Sequence, residues 1–469
     1  MIRMDLAEIA SAVGGTLAGG ADQSAVVNGS VVIDSRSVRL GDLFVAVIGD
    51  THDGHDFADA AIASGACAVL SARRLEIPCI VVEDTVVALG LLAGHLIGRL
   101  PELIVVGVTG SSGKTSTKDL LAQVLPAIGP TIAPIGSFNN EIGLPLTALG
   151  ADESTRVLVS EMGARGVGHI SYLCEITPPL VGVVLNVGSA HVGEFGSRSV
   201  IADAKGELIA ALPSGEAGGI AVLNADDPAV MAMASRTRAR VITFGTHDHA
   251  DVRIENVVLD DQGRPSADVV VEGRRERLIL GLHGAHHLLN AAAVIAVGVG
   301  LKVPLEVVLE RLMSARPASR WRMEVTTTSE GVTVINDAYN ANPESMGAAL
   351  RALIAISRHK SGLGRTSWAV LGEMRELGAM SGDAHEALGG LVVELGVDRL
   401  LVVGVAAGGI EVGAAKLSGD KGRATVVADI EAAIEVLRSE VMPGDVVLVK
   451  ASRAVGLERV AAALTEVAS

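Results

Sequence analysis

Cysteine is scarce in this 469-residue chain, with 3 in all. Cys67, Cys79 and Cys174 lie far apart and form no CxxC pair, which excludes a disulfide framework and a cysteine-based zinc site. Aromatic residues are few (5 Phe, 2 Tyr, 2 Trp), so the cores have to be packed from Ala, Val, Leu and Ile. Basic residues are in deficit, 38 Lys and Arg against 54 Asp and Glu for a net charge of −16. That balance argues against a nucleic-acid partner, whose binding needs an excess of cations to displace counterions. It leaves anionic small substrates open, because a local basic cleft can sit on an acidic protein. Long hydrophobic runs are missing as well. Mean hydropathy is +0.45, yet the longest uncharged apolar stretches, 291–301 and 400–410, have 11 residues each, and a spanning helix needs about 20. No membrane span is expected. The first residues carry Asp5 and Glu8 where a signal peptide is apolar, so the expected compartment is a bacterial-type cytosol.

What is present is an ordinary globular composition, 49% hydrophobic and 20% charged. At roughly 150 residues per domain the length fits three domains. Short strands at 25–33 and 43–48 and a helix at 58–64 suggest a small α/β head over residues 1–100. Leu103-Ile104-Val105-Val106-Gly107-Val108 is a continuous apolar run with the character of a buried parallel strand. It opens a strand–helix series that ends in a more antiparallel stretch at 253–280 and an apolar helix at 289–299. This is an NTPase-like central domain over 101–316. After Ala315-Arg316-Pro317 a second alternating series runs from 332 to 464, expected as a C-terminal Rossmann-like domain over 317–469. Alternating strands and helices imply parallel, doubly wound sheets. Gly404 to Gly409 has the wrong spacing for a dinucleotide fingerprint and reads as a close-packed turn.

The strongest chemical signal is Val108-Thr109-Gly110-Ser111-Ser112-Gly113-Lys114-Thr115. A buried strand ends, a Gly-rich turn follows and a helix begins. Backbone N–H groups of such a turn surround phosphate oxygens, and the helix N-terminus adds partial positive charge. Lys114 would reach the terminal phosphates, and the Thr115 hydroxyl would ligate Mg²⁺. In the standard loop, GxxxxGK[ST], a Gly stands where this chain has Val108. Glu161 and His191 each follow a strand end, where ligands of open α/β sheets bind, and can hold a second Mg²⁺. Each also has a plain structural reading: a strand-end charge for Glu161, a loop histidine for His191 and a solvated helix lysine for Lys205.

Several segments together resemble the Mur ligases, the ATP-dependent amino-acid-adding enzymes of peptidoglycan precursor synthesis. Residues 109–115 resemble the family's TGxxGKT loop, which accounts for Val108. Ser137-Phe138-Asn139-Asn140-Glu141-Ile142-Gly143-Leu144-Pro145 resembles an FNNxxGxP segment, and 186–196 the segment that carries His191. Leu223-Asn224-Ala225-Asp226-Asp227, Asn336-Asp337-Ala338-Tyr339-Asn340-Ala341-Asn342-Pro343, Leu371-Gly372-Glu373-Met374 and Lys450-Ala451-Ser452-Arg453 resemble further family markers. The similarity spans nearly the whole chain. Its motifs point to the branch that adds D-alanyl-D-alanine to UDP-N-acetylmuramoyl-tripeptide.

The resemblance implies a role for each matched residue. Thr109, Gly110, Ser111, Ser112, Gly113, Lys114, Thr115 and Ser116 would bind the phosphates of ATP. Asn290 would contact adenine, and Arg322 and Asp337 would reach the nucleotide from the C-terminal domain. Thr115, Glu161, His191 and Lys205 would hold Mg²⁺, Lys205 matching a position carbamylated by CO₂. Lys114, Glu161, His191 and Lys205 form the catalytic set. Asn139 and Asn140 would bind substrate, as would Ser35 and Arg36 in a head that takes the UDP-sugar. One departure stands out: the family's GxHNxxN reads Gly284-Ala285-His286-His287-Leu288-Leu289-Asn290 here, with His287 in place of Asn. The cluster of His283, His286 and His287 has no Cys or fourth spaced ligand, which disfavours zinc. Because the nucleotide residues lie in two domains, a hinge near 315–319 is expected, and a three-domain enzyme of this kind can work as a monomer. The rival readings are a sister ligase adding the third peptide residue, a folylpolyglutamate synthase-like ligase, and a nucleotide-dependent switch.

Overall fold

The computed structural model describes residues 2–188, 192–358, 366–418 and 424–466. It contains three main sheets arranged along the chain. The head sheet runs in the order Thr16–Ala18, Cys79–Val81, Ala68–Ser71, Leu43–Val45 and Val31–Val32, parallel except at its Thr16–Ala18 edge. The strand expected at 25–33 is two short strands in different sheets. Val26–Val27 pairs with Met4–Asp5, and Val31–Val32 joins the head sheet. The physical cause is the Asn28-Gly29-Ser30 turn. Asp42 accepts the Ser30 N–H at 2.6 Å, and Gly41 O accepts both the Asn28 and Gly29 N–H groups. The helix Thr85–Gly98 was not anticipated, although Asp84 caps it by accepting the Val86 and Val87 N–H groups. It carries Leu89, Leu92 and Leu96 into a core shared with the central sheet.

The central sheet has nine strands in the order Arg274–Ile279, Pro265–Val271, Val252–Leu259, Arg240–Gly245, Ile220–Asn224, Val181–Val184, Ile104–Thr109, Val157–Glu161 and Thr131–Ile132. Seven are mutually parallel, and the last two in chain order are added by antiparallel pairing, Pro265–Val271 running back and Arg274–Ile279 forward again, as the 253–280 stretch implies. Val106, Val108, Val157, Val159, Val181 and Val183 face the helices Lys114–Val124 and His286–Gly300 on one side of the sheet. Val105, Leu158 and Val184 face Arg198–Ala210 on the other. Both faces are therefore covered, which explains the unbroken apolar runs in the sequence.

The C-terminal sheet runs Glu324–Thr327, Thr333–Asn336, Val446–Lys450, Ser367–Leu371, Arg399–Val403 and Ala424–Val427, with only the first strand antiparallel. Helices lie on both faces, giving the doubly wound arrangement expected. The linker before it is tied to the helix Lys114–Val124. Gln123 exchanges two hydrogen bonds with the Arg316 backbone at 3.0 Å each, and Asp119 accepts the Ser319 N–H at 3.1 Å.

Gly404, at φ 87°, ends Arg399–Val403, and the chain enters the helix Gly409–Ser418. This helix crosses Ser381–Leu395 with almost no separation. A Cβ on Gly389 would lie 1.9 Å from Ile410 O, and one on Gly413 would lie 1.8 Å from Glu386 O. Only glycines permit this approach, and the obstruction is backbone, which cannot rotate away. Gly389→Ala is therefore expected to cost about 1–3 kcal/mol of stability by overpacking, read as a lowered midpoint in urea unfolding. An unchanged midpoint would mean that the two helices can separate freely.

Candidate active site

The carboxyl ends of the central parallel strands open into a cavity of about 460 Å³ that also takes residues of the C-terminal domain. The Gly-rich turn forms its floor. Gly113 sits at φ 83°, a left-handed conformation that Gly adopts without a Cβ penalty. A Cβ there would lie 2.7 Å from Asn290 Oδ1, so the same glycine admits Asn290 close to the turn. Asn186, just beyond Val181–Val184, holds the turn open. Its Oδ1 accepts the Ser112 N–H at 2.9 Å, its Nδ2 donates to Ser112 O at 3.1 Å, and its backbone O accepts the Ser111 N–H. Thr109 Oγ donates to Met162 O at 2.8 Å, securing the strand end.

Lys114 begins the helix and folds back, its Nζ donating to Gly110 O at 2.6 Å. Burial lowers its pKa, opposed by the Glu161 carboxylate nearby. Lys205, on Arg198–Ala210, is buried, and its pKa lies well below the usual lysine value. Burial is the main cause, and the Lys114 cation adds to it. Glu161 ends its strand fully buried. Asn139 Nδ2 donates to its Oε1 at 2.8 Å, while Oε2 has no partner among the described residues. A buried, unpaired carboxylate oxygen in the cavity that Thr115 also lines offers oxygen donors of the kind a hard cation takes. The chemistry of these residues therefore fits Mg²⁺.

Residues of the C-terminal domain complete the walls, among them Arg322, Asp337, Tyr339, Asn342 and Lys450. Arg322 lies over the Tyr339 ring, 4.1 Å from its centroid. Its neighbours Trp321 and Met323 both have positive φ, 59° and 50°, a strained conformation for such side chains. The 337–343 segment holds that strain: Asp337 Oδ1 accepts the Met323 N–H, and the Tyr339 N–H donates to Trp321 O. Asp337 also pairs with buried Lys450 at 2.6 Å. Tyr339 hydroxyl meets Ser137 of the central domain, and Asn342 Nδ2 approaches Ser111 O at 3.5 Å.

The structure thus brings Ser111 through Ser116, Asn139, Asn140, Glu161, Lys205, Asn290, Arg322 and Asp337 to one cavity. Thr109 and Gly110 support its floor from behind. Asn140 has a local task too, its Oδ1 accepting the Gly143 N–H where the helix Gly143–Ala148 begins. Ser35 and Arg36 do not line it. They form a short turn in the head, where exposed Arg36 pairs with Asp34 and draws that carboxyl down to about 2. His191 lies outside the described residues. His287 is buried beside Asn290, neutral because burial and the neighbouring histidines depress its pKa well below the usual value, with Nδ1 unpartnered among the described residues. Sequence reading gave no role to Asn186, Tyr339, Asn342 or Lys450. Each lies inside a quoted motif, which was the available signal.

A three-domain α/β fold with a phosphate-binding loop facing a C-terminal Rossmann-like domain defines a class of nucleotide-dependent enzyme. Comparison with known proteins narrows it. Residues 108–298 match the Mur ligase middle domain, 321–453 the Mur ligase glutamate ligase domain, and 29–89 the Mur ligase family catalytic domain. The chain is 46% identical to the UDP-N-acetylmuramoyl-tripeptide–D-alanyl-D-alanine ligase of Mycobacterium bovis, over 99% of this chain and 98% of the relative. Crystal structure I of MurF from Acinetobacter baumannii superposes with a TM-score of 0.88 at 27% identity, covering all of both chains. The MurF ligase of Thermotoga maritima in complex with ADP gives 0.80 at 34% identity, covering 94% of this chain and 97% of that one. The protein belongs to the Mur ligase family.

The Asp337–Lys450 pair carries a stability consequence. Asp337→Ala leaves Lys450 buried without its counter-ion, and breaking such a pair is expected to cost about 3–5 kcal/mol, measured by chemical unfolding at neutral pH. A loss below about 1 kcal/mol would show the pair to be energetically idle.

Proposed function

We propose that this protein is the ATP-dependent amide ligase that joins D-alanyl-D-alanine to UDP-N-acetylmuramoyl-tripeptide in the cytoplasm, forming the pentapeptide precursor of peptidoglycan. The observation that carries the reading is the single cavity in which Lys114, Glu161 and Lys205 of the central domain meet Arg322 of the C-terminal domain. The names of the relatives, at 46% identity over nearly the full chain, agree with it.

A carboxylate is a poor electrophile and has to be activated. The acceptor carboxylate attacks the γ-phosphorus of ATP in line, ADP leaves, and an acyl phosphate forms. The amine of D-alanyl-D-alanine then adds to its carbonyl, and the tetrahedral intermediate expels phosphate, leaving the amide. Ser111 to Ser116 cradle the phosphates, and Lys114 neutralises charge on the transferring group. Arg322 reaches the same phosphates across the domain boundary. Asn290 borders the base, and Asp337 orients the nucleotide while holding the Met323 backbone. Thr115, Glu161, His191 and Lys205 would hold Mg²⁺. When bound, the metal supplies a Lewis acid that offsets the charge developing on the phosphoryl oxygens.

Lys205 is suited to carry a carbamate. Formation requires the neutral amine: Lys–NH₂ adds CO₂ and releases a proton, giving Lys–NH–COO⁻. Burial and the Lys114 cation favour that neutral form, and the product turns a repelling cation into an oxygen ligand. The acyl phosphate is sensitive to water, so closure of the two domains about 315–319 protects it.

The test is phosphate release from ATP with UDP-N-acetylmuramoyl-tripeptide, with and without D-alanyl-D-alanine. Release is expected to depend on both, with a pentapeptide product by mass. Release that instead follows diaminopimelate, lysine or glutamate with a shorter acceptor would assign the protein to a sister reaction. Lys205→Ala is expected to lower kcat by about 100-fold or more, in line with the loss of an electrostatic stabiliser. Full activity in that variant, together with indifference to bicarbonate depletion, would remove the carbamate.

A further inference from the structure

The cavity has two sides, set by strand order. Ile104–Thr109, which leads into the phosphate loop, lies between Val181–Val184 and Val157–Glu161. On the Val181–Val184 side the lining comes from Asn186, Asn224 and Phe244, with Asn290 packed against the loop. On the Val157–Glu161 side it comes from Asn139, Asn140, Gly163, Arg165 and His169. In-line transfer places the nucleoside and the attacking group on opposite sides of the γ-phosphorus. With the nucleoside toward Asn290, the acceptor comes in over the segment 163–169.

That segment is held by specific bonds at both ends. The Gly163 N–H donates to Asn139 O at 2.8 Å. Glu207 accepts the Gly168 N–H at 2.6 Å and the Ser171 N–H at 2.9 Å. In the middle, His169 Nδ1 accepts the Arg165 N–H at 3.3 Å, and Nε2 faces Glu141 Oε2 at 3.1 Å, which fixes the ring. The backbone of Arg165 is thus anchored while its side chain is exposed at the cavity mouth. No carboxylate among the described residues pairs with it, whereas Arg36, Arg236, Arg375 and Arg453 each have one.

We infer that Arg165 binds a carboxylate of the acceptor peptide and helps select that substrate, with His169 and Glu141 as positioning residues for its backbone. The planar guanidinium fork matches a carboxylate in two parallel hydrogen bonds. The inference rests on the ligase reading above. The UDP diphosphate is the other anion on the same substrate, and the experiment separates the two.

Binding of UDP-N-acetylmuramoyl-tripeptide to the full-length protein is measured by calorimetry for the wild type and Arg165→Gln. A second ligand has its peptide carboxylates converted to primary amides. The variant is expected to bind the natural acceptor about tenfold or more weakly, to bind a non-hydrolysable ATP analogue unchanged, and to bind the amidated acceptor as the wild type does. Because the side chain is exposed, the unfolding midpoint should not move. Unchanged acceptor binding in the variant would overturn the assignment. So would a variant that still loses affinity for the amidated acceptor, since the diphosphate would then be the partner. Wild-type turnover is scored separately: its absence removes the ligase reading itself, whereas turnover with unchanged Arg165→Gln binding removes only this assignment.

Discussion

Two lysines that share one cavity, Lys205 buried and Lys114 half-buried, govern the site. Lys114 and Lys205 each have a depressed pKa because water has been taken from them, and Lys205 also experiences the Lys114 charge. Like charges in a low-dielectric space are costly unless anions are nearby. Within the protein, Glu161 supplies part of the compensation for Lys114. A triphosphate supplies far more. The cavity thus favours anions, and a phosphate chain is the kind of group that suits it. This also accounts for an anion-binding site in a protein of net charge −16.

The second constraint is that the site belongs to two domains. Arg322 enters only because Trp321 and Met323 adopt an unfavourable backbone conformation. Asp337 and Tyr339 hold it there by accepting from, and donating to, those two residues. Motif residues that look like ligands therefore have structural tasks as well. Asp337 is engaged by Met323 and Lys450, Asn139 by Glu161, and Asn140 by the helix it begins. Substitutions at these positions will combine a loss of contact with a loss of geometry.

The central and C-terminal sheets were legible in the sequence because buried parallel strands leave continuous apolar runs, as at residues 104–108, separated by amphipathic helices. The turn at 110–115 was legible because phosphate binding requires glycine, lysine and a hydroxyl at fixed spacing. Other features left weaker traces. The apolar residues at 25–33 conceal a turn that depends on Asp42, a residue distant in sequence. Thr85–Gly98 lacks the usual amphipathic period because its solvent face is apolar too, Val87 and Leu91 being 48% and 50% exposed. The bond between Asn186 and Ser112, and the brace of Glu207 on the 163–169 segment, join distant parts of the chain. Periodicity and spacing carry no record of such long-range contacts.

The helix Lys114–Val124 performs two tasks at its two ends. Its first turn lines the cavity, and near its last turn Gln123 grips the backbone of Arg316 in the linker. Eleven residues of α-helix make a stiff rod about 16 Å long. One rigid element therefore runs from the Gly-rich turn to the linker, so the floor of the cavity and the start of the C-terminal domain are held at a fixed separation.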